Sequence, residues 1–328
     1  MESHGTGDDD LRQLARDLLG DRHDRVALAV CSPERDAGIG WGLDPQADIE
    51  IGSVSKSLTG LLFANSLDRG ETTRLTPLGD LLPTLRGPAA GITLGALAAH
   101  RSGLGRVPAA ARPLRRGLAS ARRGTNPYGD SLEELLQQVA LEKVGSARRR
   151  YSNTGYQLLG HAVAAAASMD FASLLSARLT EPLGLVGAFA PTTQGGLRSQ
   201  SARGRSRRGR DHEAWVGEAL APAGGIRMTQ QDLLALLRAL LDGTAPGLAA
   251  LEAESTGRGP LAYGMGWIQL SGRDGVVTWH NGRTGGFASF IGLDRAAGSG
   301  VAVVSATAAS VDRLGFQLLS ASRGGAPG

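Results

Sequence analysis

Ile51-Gly52-Ser53-Val54-Ser55-Lys56 decides how this 328-residue chain is read. Only two of its 35 Lys and Arg side chains are lysines, and one of them, Lys56, stands three places after Ser53. An arginine guanidinium keeps its proton near neutral pH, whereas a desolvated lysine ammonium can lose it, so the two are not interchangeable where a base is needed. Residues 55–67 read as a helix, and positions three apart share a helix face, so the Lys56 amine reaches the Ser53 hydroxyl. That pairs a nucleophile with its activator. The motif is short enough to arise by chance, and its plain alternative is a serine-capped helix start with Lys56 as a solvated charge. Partners elsewhere in the chain must decide.

Length and a hydrophobic share of 41% bound the answer to two lobes or one large domain with a substantial core. Cys31, the only cysteine, follows the apolar run 26–30, so it is expected in the core and no intramolecular disulfide can form. Asp8-Asp9-Asp10 and the amphipathic stretch 11–19 lack the basic flank and apolar run of a secretory signal, and no later segment has transmembrane length. The expectation is a cytoplasmic protein without a membrane partner. Net charge is +4, with arginines clustered at 112–123, 148–150 and 203–210. No aromatics are interleaved with them and no nucleic-acid motif accompanies them, so nucleic acid is not an expected partner. Solvated loops account for the clusters; a rim that attracts an anionic substrate or acidic partner is the alternative.

Sheet signals lie at the two ends and helix signals between them. Residues 26–30 and 38–42 suggest early strands, and 263–270, 275–279, 287–294 and 300–306 suggest four more, joined by short polar connections that favour antiparallel hairpins. Residues 93–99, 132–141, 155–167, 171–179 and 229–241 read as helices, with 11–19 and 311–320 as terminal helices available to cover one sheet face. The predicted fold is α/β in the α+β sense. A discontinuous sheet domain (1–74 and 259–328) holds a mainly helical domain (75–258), with a cleft between them. Residues 106–130 and 192–211 are expected to be mobile loops, with a lid over the cleft as the functional alternative.

Acyl transfer through a serine needs a proton acceptor, donors aimed at the oxyanion and a proton donor for the leaving group. Tyr151-Ser152-Asn153, ahead of the helix at 155–167, brings a phenol and an amide from one short loop. His280-Asn281-Gly282 ends a strand and opens the Gly-rich turn Arg283-Thr284-Gly285-Gly286. Taken singly, each also reads as an ordinary turn. Together and in this order, Ser53-x-x-Lys56, Tyr151-x-Asn153 and His280-x-Gly282 resemble the active-site motifs of the class C β-lactamase family of β-lactamases, DD-peptidases, esterases and transacylases. The likeness extends through Ile92 to Leu104 (ITLGALAAHRSGL), Glu181-Pro182-Leu183-Gly184-Leu185, Pro222-Ala223-Gly224-Gly225 and Tyr263-Gly264-Met265-Gly266-Trp267. It runs from about residue 51 to 292.

The resemblance implies a β-lactamase/transpeptidase-like fold, with Ser53 as nucleophile and Lys56 and Tyr151 as its proton acceptors and donors. It further implies that Asn153 holds Lys56 and the substrate, that the backbone N–H groups of Ser53 and Arg283 form the oxyanion hole, and that His280, Asn281, Gly282 and Arg283 line the substrate. It implies no metal and no organic cofactor. Many β-lactamases and DD-peptidases carry Lys-Thr-Gly where this chain has His280-Asn281-Gly282, and a neutral histidine is a poorer carboxylate anchor. That departure shifts weight toward a serine esterase or transacylase acting through acyl-Ser53 on a small ester, amide or thioester. The acyl donor would be a small molecule, which the arginines would allow to be anionic. Water, an amine or an alcohol would resolve the acyl-enzyme. A β-lactamase or D-Ala-D-Ala carboxypeptidase is the alternative enzyme, and a non-catalytic binding or sensor protein on the same scaffold is the alternative of another class. The sequence leaves the oligomeric state open.

Overall fold

The computed structural model describes residues 6–322. The chain begins with helix α1 (Thr6–Leu19) and strands β1 (Val26–Cys31) and β2 (Asp36–Trp41), then a short strand β3 (Ile49–Glu50). Helices α2 (Ser55–Asp68), α3 (Leu78–Leu81), α4 (Leu94–Ala98), α5 (Pro113–Arg123), α6 (Leu132–Ala140), α7 (Asn153–Ala166) and α8 (Phe171–Leu175) follow. Strand β4 (Arg227–Met228) and helix α9 (Gln230–Leu241) lead into β5 (Ser255–Thr256), β6 (Leu261–Tyr263), β7 (Ile268–Gly272), β8 (Gly275–Arg283), β9 (Ala288–Asp294) and β10 (Ser299–Ser305), and α10 (Asp312–Ala321) closes the described chain.

Eight strands form one antiparallel sheet in the order β2-β1-β10-β9-β8-β7-β6-β5, so the first strand of the chain pairs with the last. Val26 lies opposite Ser305 and Val30 opposite Val301, a register that joins the two chain ends edge to edge. Side chains of a strand point alternately to its two faces. Val26, Leu28 and Val30 of β1 and Val301 and Val303 of β10 accordingly pack under α10 and Ala15 of α1. Ala27, Ala29, Cys31, Ala302 and Val304 face the other way, into the larger core with Leu233, Leu236 and Leu237 of α9. Small residues on that face let α9 lie close to the sheet. Cys31 is buried and free, its thiol pushed up to about 12 by burial first and by Asp36 second.

Helix α2 is buried on nearly all sides, which suits a helix that passes through a core rather than over it. It packs against α7 and the turn at 221–225. The two-stranded pair β3–β4 ties residue 49 to 228 beside it. Among the described residues no single helix is long and apolar enough to cross a membrane.

Besides the short elements β3, α3, β4 and β5, which the sequence reading did not assign, the structure departs from it in three places. Residues 106–130 are not all loop: α5 runs through their middle, with Pro113 at its first turn, Arg122 and Arg123 in its last, and Gly124 (φ +73°) ending it. These are ordinary helix-end signals that the basic composition masked. The strand expected over 263–270 is two strands, β6 and β7, because Gly266 takes a left-handed φ of +74° between them. The strand expected at 275–279 continues to Arg283 and carries the whole His280 motif.

Candidate active site

Ser53 sits in the single turn Gly52–Val54 that leads into α2. Its Oγ accepts a hydrogen bond from Lys56 Nζ at 3.1 Å and another from Tyr151 Oη at 2.8 Å. The turn is held against the end of β8. Gly52 has φ +52°, and a Cβ there would stand 2.9 Å from the Arg283 amide nitrogen; a Cβ on Gly282 would stand 2.3 Å from the Ile51 carbonyl oxygen. Only glycine permits both approaches. Ser289 Oγ of β9 donates to the same Ile51 oxygen at 2.7 Å. The backbones of Ser53 and Arg283 are thereby brought side by side, the placement an oxyanion hole requires.

Lys56 is fully buried, and its ammonium also donates to the Ala223 carbonyl. Burial drives its pKa down, opposed by the phenol of Tyr151 and assisted by Arg106. For Tyr151 burial acts upward, but Lys56, the Ser53 hydroxyl and Arg106 outweigh it and the phenol lies below its usual value. The Arg106 guanidinium is 5.6 Å from the centre of the Tyr151 ring. With one proton shared between amine and phenol, the pair is either ammonium–phenolate or amine–phenol, and each form leaves one basic lone pair facing Ser53. That is the requirement for removing the serine proton.

The Tyr151 loop is built by capping. Ser152 Oγ accepts from Gly155 N at 2.9 Å, starting α7, and donates to Gly105 O at 2.7 Å. His100 Nδ1 accepts from Ser152 N at 3.2 Å, and its ring lies 4.8 Å from that of Tyr151. Burial first, then Lys56, lowers the His100 pKa well below the usual value, so it packs as a neutral ring. Asn153 Nδ2 donates to Tyr128 Oη at 3.3 Å, while its Oδ1 is buried and has no partner. The bond expected from Asn153 to Lys56 is therefore not made; the Ala223 carbonyl takes that place.

His280 is buried, and its pKa falls to about 3, through burial first and then Lys56. Its Nδ1 lies 2.6 Å from the Asn281 carbonyl oxygen. A carbonyl only accepts, so Nδ1 carries the proton and Nε2 presents a lone pair. Asn281 Nδ2 donates to Asp312 Oδ2 at 2.8 Å, and Arg283 is exposed at the rim. The cleft holds about 510 Å³ and brings together Ser53, Tyr151, Asn153 and residues 280–283. It also exposes Arg106, Tyr128, Trp215 and Asp312, which sequence reasoning missed. Aromatics are only 4% of the chain, so Tyr128 and Trp215 in otherwise polar segments were the available signal.

A buried charge cluster stands behind the site. Arg227 is fully buried, pairs with Asp48, contacts Glu50 at 3.2 Å, and donates to the carbonyls of Asp48 and Ala202 at 2.9 Å. Glu50 in turn accepts from the Trp215 amide at 3.1 Å and hydrogen-bonds Thr284.

The sequence profile of the beta-lactamase family matches residues 11–318. The chain belongs to the beta-lactamase family. Two curated members are similar to it: the D-alanyl-D-alanine-carboxypeptidase/endopeptidase AmpH of Escherichia coli K12 is 24% identical over 287 residues, covering 77% of this chain and 70% of AmpH. A beta-lactamase of Pseudomonas fluorescens is 26% identical over 298 residues, covering 78% of each. Among solved structures, a tyrosine-to-phenylalanine mutant of a class C beta-lactamase superposes with a TM-score of 0.81 at 17% identity, over 98% of this chain and 100% of that one. The D-alanine carboxypeptidase AmpC of Burkholderia cenocepacia gives 0.78 at 20% identity, over 95% and 99%. The fold is the β-lactamase/transpeptidase-like fold, and this member of the beta-lactamase family is a serine hydrolase.

Proposed function

We propose that the protein is a cytoplasmic serine esterase or transacylase acting on small esters, amides or thioesters whose recognition does not depend on a carboxylate. Ser53 Oγ attacks the acyl carbon while its proton passes to the Lys56–Tyr151 pair, and the oxyanion rests against the backbone N–H groups of Ser53 and Arg283. Tyr151 returns the proton to the leaving oxygen, nitrogen or sulfur. The resulting acyl-Ser53 is released when water, an amine or an alcohol attacks the same carbon. The unpartnered Asn153 Oδ1 offers an acceptor to the acyl side of the substrate.

One observation carries this choice of substrate. Where Lys-Thr-Gly relatives receive a carboxylate, this cleft offers the lone pair of a neutral His280 and an Asn281 already engaged by Asp312. Lone pair and carboxylate both repel an anion. Arg283 at the rim is the remaining positive group on that side. The named relatives favour a second reading, a D-Ala-D-Ala carboxypeptidase or β-lactamase. Intact-mass measurement with an activated ester and a β-lactam probe, on wild type and Ser53→Ala, tests the acyl-enzyme. An equal adduct on the mutant removes Ser53 from its role. Relative kcat/KM for p-nitrophenyl esters, a chromogenic cephalosporin and a D-Ala-D-Ala peptide then decides: preference for either carboxylate-bearing substrate overturns the esterase reading.

A further inference from the structure

A second pocket of about 310 Å³, partly open to solvent, adjoins the cleft. The two spaces share Tyr128 and Trp215, whose rings meet edge to face at 4.9 Å, so this aromatic pair borders both. Beneath α5 the lining is largely apolar, with Val107, Ala111, Pro127, Leu135 and Ala219. The charged pair at its edge, Arg116 and Asp130, is bidentate and satisfies itself. Gln138, Gln157 and His212 add polar groups to the lining, but apolar wall with nothing packed against it forfeits dispersion contacts. An apolar cavity of about 150 Å³ holds one benzene ring. Twice that volume suits an alkyl chain of medium length.

The pair is weakly fastened. Trp215 Nε1 is buried without a hydrogen-bond partner, so the indole is held by packing and by its backbone amide on Glu50. No polar bond of the ring opposes its rotation. Tyr128 Oη accepts its 3.3 Å bond from Asn153, a residue that lines the cleft with Ser53.

We propose that this cavity receives the acyl chain of the donor, which passes between Tyr128 and Trp215 and makes the enzyme selective for esters or thioesters of medium-length apolar acids. The inference rests on the acyl-Ser53 reading above. Gly117 lines the cavity from α5, and a Cβ there meets nothing within 4 Å. Leucine is also the better helix former, so Gly117→Leu narrows the cavity while favouring α5. Ser120→Phe narrows it from the next turn.

The test uses the full chain and a p-nitrophenyl ester series from acetyl to dodecanoyl, with intact mass reporting acyl-Ser53. Expected is a rise in kcat/KM of about fourfold per methylene to about eight carbons, equivalent to about 0.8 kcal/mol each, and then a fall. Both variants should lower the octanoyl-to-acetyl ratio about tenfold or more and move the optimum to shorter acids. A flat chain-length profile, or a ratio that neither variant changes, overturns the acyl-chain assignment if acyl-Ser53 still forms. Absence of acyl-Ser53 from every ester overturns the parent reading, and this inference with it.

Discussion

Replacing Lys56 by methionine separates what the amine does for chemistry from what it costs the fold. Methionine fills a similar volume but cannot accept the serine proton, and loss of a general base lowers rate by about 10²–10⁴-fold. The same change removes a fully buried amine whose charged form burial disfavours. The effective penalty for burying an ion is several kcal/mol. Against that gain stands the Ala223 carbonyl, which loses its Lys56 partner at about 1–3 kcal/mol. Lys56→Met is therefore expected to be nearly inactive and, at pH 7, more stable than wild type by about 1–3 kcal/mol.

The pH dependence has a definite sign. The folded-state pKa of Lys56 is depressed, so above that value the unfolded chain binds more protons than the folded one and wild-type stability rises with pH until the unfolded lysine titrates. Tyr151, also lowered, acts in the same direction. The variant has neither pull, so its stability advantage should shrink as pH rises from 7 toward 10. Urea denaturation of both proteins, followed by circular dichroism and tryptophan fluorescence at several pH values, measures the gap. Activity within tenfold of wild type, or a stability gap that widens with pH, would refute the assignment of Lys56 as a desolvated base.

Arg227→Met should destabilise the protein by about 3–5 kcal/mol, because Asp48 and Glu50 are left buried without their cation. Glu50 is already raised by burial, so the loss should diminish in urea titrations as pH falls from 7 toward 5 and Glu50 protonates; a pH-independent loss contradicts this account. His280→Asn should leave the limbs of the kcat/KM profile between pH 5 and 9 unmoved, since a histidine titrating near 3 changes no charge in that range. A shifted limb would mean that His280 is ionised during turnover.

The parts of the site that depend on side-chain identity were legible in the sequence. Ser53, Lys56, Tyr151, Asn153 and the 280–283 strand end are distinctive by type and spacing, and the structure gathers all but Lys56 on the wall of one cleft, with Lys56 buried beneath Ser53 and bonded to it. Contacts that depend on the backbone were not. A carbonyl looks the same on every residue, so nothing in the sequence marked Ala223 as the acceptor that draws Lys56 away from Asn153. Arg227, Asp48 and Glu50 carry no pattern that singles them out, because their burial is created by tertiary packing around β3 and β4. Helix α5 was missed because its arginines resemble a solvated loop, although Pro113 and Gly124 mark its ends. The sheet was easier to read, since its central strands are continuous apolar runs.

The bond from Ser289 to Ile51 joins residues 238 apart in sequence, and the pairing of β1 with β10 joins strands still farther apart. Contacts this distant in sequence form late, after long loops have closed. A chain still being synthesised, with β8 to β10 not yet made, carries the serine and the lysine but has nothing to set the nucleophile's turn or complete its oxyanion donors. Reactivity thus arrives with the last strands, and a nascent or truncated polypeptide keeps its serine as inert as any surface hydroxyl.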